Sequence, residues 1–89
     1  MSSLVLHVEP CAQTVQCSET ELIVYLADGR IISVPIVWFP RLANASTTQR
    51  QNYELLGMGE GIHWPEIDED ISILGLLAGN PSAEFQPVA

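Results

Sequence analysis

The chain of 89 residues sets eleven acidic side chains against three arginines and no lysine, for a net charge of −8. Nucleic-acid binding draws most of its affinity from cations that neutralise phosphates, so Arg30, Arg41 and Arg50 argue against direct nucleic-acid binding and against an anionic membrane surface. The opposite is favoured, a basic protein partner, because complementary fields speed encounter and help specificity.

With 47% hydrophobic residues, the length suits one globular domain over residues 1–80, with 81–89 as a flexible C-terminal tail. The opening MSSLVLHVEP has no basic start and meets Glu9 and Pro10 early, so it does not read as a secretory leader. No apolar run approaches the roughly 18 residues of a membrane span. Cys11 and Cys17 lack a second cysteine pair for zinc. The expectation is a cytoplasmic protein with two reduced thiols acting as small apolar fillers.

In chain order, residues 4–8 are strand-like, and Thr14-Val-Gln-Cys17 alternates polar and apolar as a further antiparallel strand. Residues 18–20 turn into the clearest element, a hairpin of residues 21–27 and 30–35 around Asp28-Gly29, a strong two-residue turn signal. That turn predicts Leu26 opposite Ile31, Tyr25 opposite Ile32, Val24 opposite Ser33 and Ile23 opposite Val34. Leu22, Val24, Leu26 and Ile31 then share one face, and Ile23, Tyr25, Ile32 and Val34 the other. Two apolar faces require cover on both, by helices or by a second copy in a homodimer. Pro35 ends the ladder or marks an edge.

Past Pro35 the pattern changes. Residues 37–43 form an aromatic connector with a short helical turn. Ser46-Thr-Thr-Gln49 has capping-box form and predicts a helix over 47–56 stopped by Gly57. Residues 57–61 read as a turn, and Ile62-His-Trp64 as a short extended piece closed by Pro65. Asp70 or Ser72 then caps a last helix to Ala78, ended by Gly79-Asn80-Pro81. The fold class is α+β: a small antiparallel β-meander with a central Asp-Gly hairpin, followed by two short helices.

Three chemical readings can be weighed on residue type. The Gly57/Gly59/Gly61 run is no phosphate loop, because Glu60 sits inside it and lysine is absent. His63, Glu66, Asp68 and Asp70 suggest a metal- or ligand-binding enzyme, with oxygen donors at 66, 68 and 70 like the start of a calcium loop. The continuation fails, since the sixth and twelfth positions are Ile71 and Leu77. Carboxylates gathered at a helix N-terminus, favoured by its dipole, account for the cluster without a metal. No serine, cysteine or histidine has the setting of a catalytic nucleophile. No catalytic residue, metal ligand or cofactor is therefore assigned. The partner-binding set is Trp38, Phe39, Arg41, His63, Trp64, Glu66, Asp68 and Asp70, in which aromatic and arginine residues supply the anchors that interfaces favour.

The blocks DGR at 28–30, VP at 34–35, WFPRL at 38–42, QRQNYEL at 49–55, GIHWPEIDEDIS at 61–72 and GLLAG at 75–79 stand in a fixed order. Together they resemble the bacterial domain-of-unknown-function family twenty-four forty-two, over roughly residues 12–79. The resemblance implies a small α+β protein whose relatives include chains with an added helix-turn-helix domain and chains encoded beside another small protein. It implies no catalytic residues. An antitoxin-like or regulatory partner of a small basic protein is the functional expectation that follows.

Overall fold

A computed structural model describes residues 10–87. The strand expected at residues 4–8 lies outside them. The order is strand β1 (Ala12–Cys17), β2 (Glu21–Leu26), β3 (Ile31–Pro35), a 3-10 turn (Ile36–Trp38), helix α1 (Pro40–Ala43), α2 (Thr47–Gln51), β4 (Glu54–Leu56), β5 (Gly61–Trp64), β6 (Glu69–Ser72) and α3 (Ile73–Leu77). The class is α+β, built on two three-stranded antiparallel sheets, β1-β2-β3 and β4-β5-β6. The expected sequence of one meander and then two helices is thus corrected: a second sheet follows α2.

The hairpin forms in a different register. Val24 pairs with Ile32, Leu22 with Val34 and Tyr25 with Ile31, one residue away from the two-residue-turn expectation. Gly29 N–H donates to the Leu26 carbonyl at 3.1 Å, and Leu26 N–H donates to the Arg30 carbonyl at 2.8 Å. The loop is therefore three residues, 27–29, with Gly29 at φ +96° in the position where a three-residue hairpin needs a left-handed residue. Asp28 accepts from Arg30 N–H at 3.0 Å and pairs with its guanidinium at 2.8 Å.

This register places Leu22, Val24, Leu26 and Val34 together in the core, with Ile32 packed against it. Ile31 moves to the opposite face, 60% exposed. The hairpin is thus covered on one side, not two, and its outer side carries Ile31, Ser33, Ile23 and Tyr25, whose hydroxyl reaches Gln16 at 3.3 Å.

The second sheet closes the other wall. Ile62, Trp64 and Ile71 join the hairpin residues, Phe39, Leu42 and Ile73 in one apolar cluster. Burying each such side chain is favourable by roughly 1.5–3 kcal/mol. A backbone link ties the two sheets, from Ala12 N–H to the Gly59 carbonyl at 2.8 Å. Val15 N–H also donates to the Tyr53 hydroxyl at 3.2 Å.

Helix α2 begins on the expected capping box, with both the Ser46 and Gln49 reciprocal bonds in place. It ends at Gln51 instead of running to residue 56, because Glu54–Leu56 pairs with β5 and Tyr53 turns in toward Trp64. Residues 57–60 then form the turn of a β4–β5 hairpin. Helix α3 is capped by the Ser72 hydroxyl, which accepts from Gly75 N–H. Gly79 at φ +77° and the Asn80 N–H bond to the Gly75 carbonyl at 2.9 Å terminate it. Residues 82–84 fold back: Ser82 N–H donates to the Trp38 carbonyl at 3.0 Å, and Glu84 pairs with Arg41.

Candidate functional site

Strand alternation sorts the second sheet into two faces. Ile62, Trp64, Glu69 and Ile71 point inward, and the burial pattern confirms it. Outward, the pairing puts Glu54, His63 and Asp70 in one cross-strand row, with Leu56, Gly61 and Ser72 in the next. Asp70 faces His63 because both occupy the same register position, and their Oδ1 and Nδ1 atoms lie 2.5 Å apart. Opposite-charge or hydrogen-bonded pairs across antiparallel strands steady a sheet. Glu54, Leu56, Asp70 and Ser72 are exposed.

The acidic residues therefore do not gather at a helix N-terminus. Glu66 and Asp68 lie in the β5–β6 turn, and Glu69 and Asp70 lie in strand β6. The sheet register wins over the capping arrangement because Ile71 and Trp64 need the core. Glu66 accepts from Asn52 Nδ2 at 2.7 Å. Asp68 takes a left-handed φ of +52°, tolerable for aspartate. That turn aims its carbonyl at Arg41 Nη1, 2.7 Å away, while its side chain is 88% exposed.

His63, Glu66, Asp68 and Asp70 thus stand in three separate arrangements. Among the described residues no group of three or more His, Cys, Asp or Glu is positioned to hold a metal ion.

The aromatic members divide differently. Trp64 is fully buried, and its indole N–H donates to the Arg50 carbonyl at 3.0 Å. Phe39 is likewise in the core, while Trp38 is half-buried against it. Trp64 and Phe39 are accordingly withdrawn from the surface set: their rings complete the core. Arg41 is partly exposed but committed, gripping Glu84 with two nitrogens and the β5–β6 turn with a third. Arg50 donates to the Leu42 and Ala43 carbonyls, both at 2.9 Å. With Arg30 held by Asp28, every arginine is occupied within the chain.

Two residues of this region were missed by sequence reasoning. Glu54 lay inside the longer expected helix, and its place is legible only once β4 is known to pair with β5. Glu69 carries no role in the sequence reading, although its alternation with Ile71 marks an inward position. It is 8% exposed, and its Oε2 has no hydrogen-bond partner. Burial pushes its carboxyl above the ordinary value of 4.5, with the Asp70 amide and Arg41 acting the other way. Cys17 is also affected by burial, which pushes its thiol up to about 11, against a smaller opposing influence from Arg50. It packs partly buried against the core and is a poor nucleophile at neutral pH.

The Glu69 shift has a stability consequence. A carboxyl raised in the folded state keeps its proton in a pH range where the unfolded chain has released it. Folding stability should therefore fall as pH rises through that range, which begins near 4.5. Glu69→Gln removes this dependence. The variant should match the parent near pH 4 and exceed it near pH 7. Denaturant melts at the two pH values measure it, and a difference unchanged by pH would contradict the assignment.

The match to known proteins agrees with this architecture. The family model described as "Protein of unknown function (DUF2442)" matches residues 12–82. The chain belongs to the DUF2442 family. Two solved structures share the fold. One is a crystal structure of a protein of unknown function from Rhodospirillum rubrum, 34% identical, with a TM-score of 0.72, covering 86% of this chain and 95% of that one. The other, a solution NMR structure of an uncharacterised protein from Chromobacterium violaceum, is 24% identical, with a TM-score of 0.69, covering 83% of this chain and 70% of that one. No curated protein matches the sequence. The DUF2442 match spans both sheets and all three helices, so every element that positions the Glu54–His63–Asp70 row falls within the family region. Among the described residues, no helix is long and apolar enough to cross a membrane.

Proposed function

We propose that this DUF2442 chain is a non-enzymatic interaction module that receives a basic protein partner on the outer face of its second sheet. The observation carrying the reading is the row Glu54–His63–Asp70 on an open sheet face, with Glu66 at its end and exposed Leu56 beside it. The −8 charge sets the long-range field. The internal use of all three arginines removes the cations that would offset it locally. Arg41 and Asp68, joined at the β5–β6 turn, and the half-buried Trp38 serve as secondary contacts. An antitoxin-like or regulatory role is one form of this reading, in which binding alters the partner's own activity.

A lysine- and arginine-rich peptide titrated into the isotope-labelled chain tests the face. Amide shifts should concentrate on Glu54, His63 and Asp70 and weaken with salt. The double variant Glu54→Gln, Asp70→Asn should bind about five-fold more weakly, since exposed ion pairs contribute roughly 0.5 kcal/mol each. Shifts centred on the first sheet, or equal binding by the double variant, would remove the proposal.

A further inference from the structure

Between the free edge of β1 and the end of α2, a cleft of about 310 Å³ is lined by Val15, Gln16, Cys17, Arg50, Gln51 and Tyr53. Its size is at the low end of ligand pockets, which run from about 300 to 1,000 Å³. Arg50 is its charged component and differs from the other two arginines. Arg30 pairs with Asp28 and Arg41 with Glu84, whereas among the described residues no carboxylate lies within ion-pair distance of Arg50. Its Nε and Nη2 donate to the Leu42 and Ala43 carbonyls, which fixes the guanidinium and leaves Nη1 without a partner among the described residues. Arg50 is half-buried, and Glu69 Oε2 is the one buried side-chain nitrogen or oxygen that lacks a partner among the described residues. Arg50 Nη1 is therefore open to solvent. Tyr53 adds a second donor: its hydroxyl oxygen accepts from Val15 N–H, so its own hydrogen is left to give. None of the six lining residues is acidic, in a chain with eleven acids. The Cys17 thiol, held up to about 11 by burial, adds no negative charge at neutral pH. A fixed cation without a carboxylate, beside a neutral donor, suits an anion, because charge-assisted hydrogen bonds are the strong ones. One positive charge in a chain of net −8 matches a monoanion better than a doubly charged phosphate.

We propose that this cleft binds a carboxylate, with Arg50 Nη1 and the Tyr53 hydroxyl as its donors. The same chemistry is offered by a small organic acid and by the C-terminal carboxylate of a peptide. The site does not depend on the outer-face reading, since it lies at the edge of the first sheet and the Glu54–His63–Asp70 row on the second. Either can fail alone.

The test is an NMR titration of the full chain with propionate, with propionamide, and with N-acetylglycine as the analogue of a peptide terminus, all at constant ionic strength in sodium chloride. Propionate should shift the Arg50 Nε–H and the amides of Cys17 and Tyr53, and the neutral amide of equal size should not. Arg50→Gln should weaken propionate binding about ten-fold or more, as expected for a lost charged hydrogen bond. Arg30→Gln removes the same charge from the hairpin loop and should leave binding unchanged. Tighter binding of N-acetylglycine than of propionate supports a peptide terminus as the occupant; the reverse order supports a small acid. Equal binding of propionamide, undiminished binding by the Arg50 variant, an equal loss in the Arg30 variant, or no shifts at the cleft overturns the proposal. The propionamide comparison on the unmodified chain decides the matter even if the Arg50 variant does not fold.

Discussion

Replacing Trp64 by alanine is expected to remove about 3–5 kcal/mol of folding stability, a large share of what an 89-residue domain has. The indole is fully buried and sits where the second sheet meets the rest of the core. Its ring is 6.3 Å from that of Tyr53, inclined at 50°, a tilted contact of the kind aromatic pairs favour. Its N–H satisfies the Arg50 carbonyl at the end of α2. Trp64→Ala therefore empties a large volume and strands a buried acceptor together. Trp64→Phe separates the two effects: it keeps an aromatic ring but loses the donor, and should cost about 1–3 kcal/mol. Guanidinium melts of both variants give the comparison. A loss below about 1 kcal/mol for the alanine variant would mean that the core does not depend on this ring.

Gly59→Ala should be nearly as damaging, for a reason that involves backbone and not side chain. A Cβ at this position would stand 2.5 Å from the Ala12 carbonyl oxygen and 2.9 Å from the Ala12 nitrogen. Ala12 N–H donates to the Gly59 carbonyl, so relief of the clash must pull β1 away from the β4–β5 turn. The residue also holds φ +106°, which any L side chain resists. Overpacking and backbone strain together should cost about 3 kcal/mol or more. Gly29→Ala is the internal control. It has φ +96° but nothing within 4 Å of the added carbon, so strain alone should cost about 1–2 kcal/mol. Equal losses in the two variants would show that the Ala12 contact does not matter.

Local signals in the sequence identified much of the fold and little of the site. The Ser46–Gln49 box, the Ser18 turn, the Pro65 stop and the Gly79 terminus each depend on chemistry within a few residues, and each stands in the structure. What local reading missed required knowledge of partners far along the chain. Residues 54–56 have no strong strand preference alone; pairing with β5 makes them a strand. The same pairing puts Glu54 on the acidic face and makes residues 69–72 a strand, with Ser72 still capping α3 at its end. For the candidate residues, Asp70 and His63 came together through register, whereas Trp64 and Phe39 proved to be core. Periodicity could have separated them, because Ile62, Trp64, Glu69 and Ile71 alternate with the outward residues.

The hairpin loop at residues 27–29 has a further consequence. Surface loops usually tolerate changes of length, yet this one sets which side chains of β3 reach the interior. A strand repeats every two residues, so adding or removing one residue between Leu26 and Arg30 would exchange the two sides of β3. Ile31 and Ser33 would then turn inward, and Ile32 and Val34 outward. Homologous chains should accordingly vary the identity of residues in this loop more freely than their number, and any length change should come in pairs.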